Sequence, residues 1–206
     1  MSKTVSRLFD HYSDATNAVA DVEALGIPHD DISLVANNAH GQHGTQDHEG
    51  VNEHGDVSRG VSAGAVLGGA GGLLAGLGLL AIPGLGPIVA AGWLAATAAG
   101  AGIGAAGGAA TGSIVGALKN AGHSDEEAHF YSEGVRRGGT LVSVKAPDGQ
   151  VAYVEETLDR NKSVDVATRH AAYREAGWER FDEAASPYTT EEIERERAPY
   201  APTARY

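Results

Sequence analysis

Fifty-nine consecutive residues, from Gly60 to Leu118, carry no charged side chain, and Arg59 and Lys119 bracket them. Within this run glycine recurs at every fourth position in two series. The first is Gly60, Gly64, Gly68, Gly72 and Gly76; the second is Gly100, Gly104, Gly108, Gly112 and Gly116. Residues four apart share one face of an α-helix, so each series predicts a helix with a groove bare of side chains, open to close approach by another backbone. Glycine costs about 1 kcal/mol relative to alanine in an exposed helix interior. Ten such positions therefore demand compensation from dispersion and weak Cα–H contacts. Between the series, Pro83, Gly84, Gly86 and Pro87 in AIPGLGP break a helix and set a turn. The expectation is a glycine-zipper helical hairpin, with helices over about 61–81 and 88–118.

The hairpin has an outer surface as well as a groove, because Leu67, Leu73, Leu77, Leu80, Ile88, Trp93 and Leu94 interleave with the glycines. Three surroundings can cover it. Residues 61–81 make about 31 Å of helix, which matches a bilayer core of about 30 Å. The leading expectation is thus a hairpin at or in the cytoplasmic membrane, with the rest of the chain facing the cytoplasm. The alternative is a cytoplasmic oligomer whose hairpins bury one another, favoured by the Gly/Ala bias and modest hydrophobicity. The third is burial against the chain's own sheet, which is small for two long helices.

The flanking residues read as two halves of an α+β domain. In residues 1–36, Thr4 to Phe9 alternate as a strand, with Val5, Arg7 and Phe9 on one face and Ser6 and Leu8 on the other. Ser13 is the expected cap of a helix whose stripe is Ala15, Ala18, Val19, Val22 and Leu25. Gly26 and Pro28 end it, and a second strand follows over 32–36. In residues 119–168, Ser124 and Glu127 form a capping box for a helix running to Arg137. A strand over 140–145, a helix carrying Val151, Val154 and Leu158, and a strand over 164–168 follow. Strand–helix–strand repeated is the ferredoxin-like βαβ–βαβ arrangement, here interrupted by the hairpin of residues 60–118. Residues 169–206 are a charged, partly helical tail in which Tyr173, Trp178 and Phe181 can dock on the domain.

Residues 37–59 are a flexible His/Gly-rich linker. Its His40, His43, His48 and His54 are weak metal-ligand candidates among acidic neighbours, but their spacing matches no closed site. The chain has no cysteine, which excludes disulfides and thiolate sites. A formal charge of −12 disfavours nucleic-acid binding. No phosphate loop, dinucleotide fingerprint, zinc-protease motif or nucleophile elbow occurs. Asp10-His11, His123, His129 and the Arg136-Arg137 pair read as cap, surface and helix-end residues. No catalytic residue, cofactor or small-molecule substrate is expected. The start of the chain lacks the basic and apolar regions of a signal peptide, so a cytoplasmic-side location is expected.

Four stretches carry a resemblance: VSRLFDHYSDATNAVADVEALG, ISLVAN, LLAIPGLGPIVAAG and HSDEEAHFYSEGVRRGGTLVSVKA. Together they resemble the bacterial general stress protein 17M-like domain family, also described as heat-induced stress proteins, over about residues 4–169. The resemblance implies bacterial origin, a stress role and a glycine-rich hairpin; it supplies no catalytic residues and no mechanism, and the leading expectation from the uncharged run is a non-enzymatic protein. The histidine-rich linker is not part of it. Self-association is the partner expectation.

Overall fold

The computed structural model describes residues 2–38, 78–82, 84–97 and 113–200. Its elements in chain order are β1 (Ser2–Phe9), α1 (Tyr12–Ala24), β2 (Ile32–Asn37), β3 (Gly78–Ile82), β4 (Gly86–Gly92), α2 (Ile114–Asn120), α3 (Asp125–Arg136), β5 (Thr140–Pro147), α4 (Val151–Arg160), α5 (Val166–Glu175) and α6 (Thr190–Arg197). The fold is mixed α+β. Five strands form one sheet in the order β1-β5-β2-β4-β3, and every neighbouring pair is antiparallel. It follows that β1 and β2 are parallel, with β5 inserted between them.

Period-two alternation splits the strand residues between two cores. Val5, Phe9, Ile32, Leu34, Val142 and Val144 face α1 and α4, meeting Ala15, Ala18, Val22, Val154 and Leu158. Leu8, Val35, Ile88 and Leu141 face the other way, onto Leu118 of α2, Phe130 and Val135 of α3, Tyr173 of α5, and Trp178 and Phe181 beyond it. The sheet is thus covered on both faces. The faces expected for β1 are those observed. The Ser124 capping box is present, with the Glu127 N–H donating to Ser124 Oγ at 3.2 Å and the Ser124 N–H to Glu127 Oε2 at 2.9 Å. Trp178 and Phe181 dock on the domain as expected, although the helix that carries Tyr173 ends at Glu175 and Gly177 follows it at φ +85°.

Four expectations need correction. The helix of the first half starts earlier than a Ser13 cap would set it; His11 is its N-cap and makes no side-chain cap bond. Residues 164–168 are not a strand. Asp165 caps α5 by accepting the Thr168 N–H at 2.7 Å, while the Val164 N–H donates to Leu8 O at 2.7 Å. N-capping by aspartate stabilises a helix start more than one bond to β1 stabilises a strand.

The third correction concerns the centre of the uncharged run. Residues 78–82 and 86–92 are strands, not the ends of two helices, and β4 pairs along β2 from Ser33↔Gly92 to Asn37↔Ile88. A short apolar stretch satisfies either period, and here β2 offers a free edge that rewards the extended form. The fourth follows from it. No helix among the described residues is long and apolar enough to cross a membrane. The turn that a membrane hairpin would carry to the far side lies in the domain's own sheet. This overturns the membrane hairpin and the cytoplasmic-membrane location that rested on it.

Candidate functional site

The hairpin turn is the part of the candidate site that the structure describes most fully. The Leu85 N–H donates to Ile82 O at 3.0 Å, and Gly84 adopts φ +75°. Glycine takes this left-handed conformation without the steric cost that a Cβ would bring. Leu85 is fully buried. A Cβ on Gly84 would stand 2.8 Å from Asp182 O, and one on Gly86 2.8 Å from Pro187 Cβ. The segment after α5 therefore clamps the turn. At the other end of β4, Ser33 Oγ donates to Ala91 O at 2.7 Å and accepts the Leu94 N–H at 3.3 Å. Gly92 has φ +82° and lies so close to the Ile32 carbonyl that no side chain fits. Residues 93–97 are helical.

Of the ten expected helix-packing glycines, Gly116 is described. It lies in α2, and a Cβ placed on it would have Ser113 Cβ, at 4.0 Å, as its nearest neighbour among the described residues. Gly60, Gly64, Gly68, Gly72, Gly76, Gly100, Gly104, Gly108 and Gly112 lie outside the described residues, as do His40, His43, His48, His54 and Pro83. Among the described residues no group of three or more His, Asp or Glu side chains is placed to hold a metal ion.

Two polar clusters that the chain's linear order does not reveal are assembled by the fold. In the first, Ser6 Oγ lies 2.7 Å from His123 Nε2 and 2.8 Å from Ser143 Oγ, and Tyr131 OH donates to Ser6 O at 3.0 Å. Glu127 Oε2 is 3.8 Å from His123 Nδ1. Burial pushes the His123 imidazole below its ordinary pKa, against the smaller opposing pull of Glu127, and pushes the Tyr131 phenol up to about 12. Serine, imidazole and carboxylate in that order suggest nucleophile activation. Yet Ser6 is mid-strand and 2% exposed, with its hydroxyl held between two partners. No acyl group can reach it, so the cluster acts as a polar tie between β1, β5 and the start of α3. His123, expected at the surface, is one of its members.

The second cluster sits where β1 ends. Arg169 grips Asp10 through two bonds, at 2.9 and 2.8 Å, and lies 3.5 Å from the centre of the Tyr200 ring. Arg137 binds the fully buried Glu133 at 2.7 Å and Glu196 of α6 at 2.9 Å, and stacks over Tyr173 at 4.1 Å. Its guanidinium pKa is raised: burial opposes the charge, but the bond to Glu133 and the surrounding anions outweigh it. The anions that this arginine holds belong to its own chain, so the cluster fastens the tail to the domain. A neighbouring cleft of about 180 Å3, lined by Asp10, His11, Glu194, Arg197, Ala198 and Tyr200, is below the roughly 300 Å3 at which small-molecule sites begin. No family model, curated protein or solved structure matches the chain.

Proposed function

We propose that the chain is a non-enzymatic bacterial stress protein that self-associates through its glycine-rich segments, with the α+β domain as the scaffold that holds them. One observation carries this reading. The centre of the uncharged run is anchored as β3 and β4, and Gly78 pairs with Ala90, so the chain enters β3 and leaves β4 at the same end of that hairpin, away from its turn. The stretches that lead into β3 and out of β4 are thereby tied to the domain at one end of that hairpin, and this shared attachment supports self-association through the glycine-rich segments. The split βαβ unit formed by β1, α1, β2 and β5 supports a ferredoxin-like core, enlarged by β3 and β4 at one edge and, among the described residues, without a closing strand after α4. The stress role rests on the resemblance to the general stress protein 17M-like family.

The test is light scattering without detergent. The expected mass is an integral multiple of the chain's, and replacing Gly68 and Gly108 together by leucine lowers it by filling both grooves. A stable monomer contradicts the proposal. An oligomer unchanged in size and stability by the double substitution removes the glycine series from the contact.

A further inference from the structure

We infer that the free edge of β3 is a contact surface for a second copy of this chain, through antiparallel pairing of β3 with its own equivalent about a two-fold axis at Leu80. The inference rests on the self-association proposed above and names the surface that begins it. β3 is last in the sheet order, so among the described residues one of its sides has no strand neighbour. The backbone register shows which groups face that side. Ala81 is opposite Pro87, and proline has no N–H, so this pair cannot exchange ladder hydrogen bonds. The Pro87 carbonyl instead accepts the Asn38 N–H at 2.9 Å, on the β2 side. By alternation, Gly78, Leu80 and Ile82 bond to β4, while Leu79 and Ala81 direct their N–H and C=O groups outward.

That pattern is self-complementary. A two-fold axis at Leu80 sets Leu79 against Ala81 of the second copy and Ala81 against Leu79, satisfying all four hydrogen bonds. Leu80 then faces its own equivalent in a non-hydrogen-bonded pair. The strand, GLLAI, has none of the features that guard natural edges: no charge and no proline. β1 at the opposite edge differs, carrying Lys3 and Arg7 and receiving the Val164 N–H on Leu8 O. Residues 60–77 are a poor intrachain occupant, with seven glycines and only two β-branched residues, Val61 and Val66. Five residues make a strip about 17 Å long at a strand spacing of about 4.8 Å, far less area than the about 1,600 Å2 of a standard interface. The edge therefore sets the register of the contact rather than supplying all of its affinity.

The chain has no cysteine, so Leu80→Cys introduces a single thiol. Cα atoms in a non-hydrogen-bonded antiparallel pair are about 4.5 Å apart, within the disulfide range of about 4.4–6.8 Å. Under mild oxidation of the full-length chain, Leu80→Cys is expected to give covalent dimers several-fold faster than Tyr153→Cys, a control on α4 that is 63% exposed. Adding Ala81→Pro removes an outward N–H without touching the bonds to β4, and is expected to return the rate to the control. Equal rates for the two cysteine variants overturn the inference, as does undiminished cross-linking with Ala81→Pro. If light scattering shows an oligomer while the cysteines behave alike, self-association stands and the edge is not its surface. If the chain is a monomer throughout and β3 is paired within it, both fall.

Discussion

His123 shows how a residue placed only by tertiary contact acquires a measurable property. Its ring bridges Ser6 and Tyr131, with ring centroids 5.5 Å apart in the latter contact. Burial lowers its pKa below the ordinary 6.5 despite the nearby Glu127. His129 is lowered too, by burial first and then by Arg180, and shares its Nε2 with that guanidinium at 2.9 Å. For both, the unfolded chain binds the proton more readily than the folded one. Their contribution is therefore complete above about pH 6.5 and is lost as pH falls through and below that value. Glu127 and Asp159, whose carboxyl pKa values are lowered by bonds to Ser124 and to Arg7, add their losses only in more acid solution. Urea midpoints should consequently fall between pH 7.5 and 5.5. His123→Gln, which keeps a hydrogen-bonding group near Ser6 but cannot be protonated, should flatten that fall without abolishing it, because His129 remains. An unchanged pH profile would mean that His123 does not remain neutral in the fold.

At the scale of elements, the attachment of β4 to β2 depends on Gly92. Its φ of +82° is unfavourable for a side chain, and a Cβ there would press on the Ile32 backbone, with Ser33 Cα at 2.8 Å. A non-glycine residue in the left-handed region costs roughly 1–2 kcal/mol before any backbone displacement. Gly92→Ala should therefore destabilise by about 2 kcal/mol or more, and hydrogen exchange should show the loss concentrated in β3 and β4 while β1 and β5 stay protected. The same hairpin marks the limit of what the chain reveals before folding. β1, β2 and β5 were legible because their alternation matches two distinct cores, and α3 because Ser124 and Glu127 form a local box. Leu79 to Ile82 and Ile88 to Ala91 were not. Glycine at every fourth position favoured a helical reading, but these residues are also short apolar runs around a Pro-Gly turn. Only β2, more than forty residues upstream, decides between the two. Val164 and Val166 suggested a strand, and the local cap at Asp165 overrode them. The polar clusters were less legible still, since Ser6 meets His123 across 117 positions and Asp10 meets Arg169 across 159.

For the molecule as a whole, the distribution of charge sets how association must respond to its medium. The formal charge is −12, yet the 59-residue run that includes β3 and β4 has none. Two copies approaching through that run bring two acidic bodies together while forming no ion pair between the contacting strands. The electrostatic part of association is then repulsive and long-ranged. Salt shortens its reach, from a Debye length of about 30 Å at 0.01 M to about 10 Å at 0.1 M and 3 Å at 1 M. Apolar burial and backbone hydrogen bonds are far less sensitive to such screening. Raising sodium chloride from about 20 mM to about 500 mM should therefore strengthen association, with a lower dissociation constant in sedimentation velocity. An assembly held by ion pairs, for instance between the arginines and glutamates of α6, would weaken instead. That response would move the contact from the uncharged run to the tail.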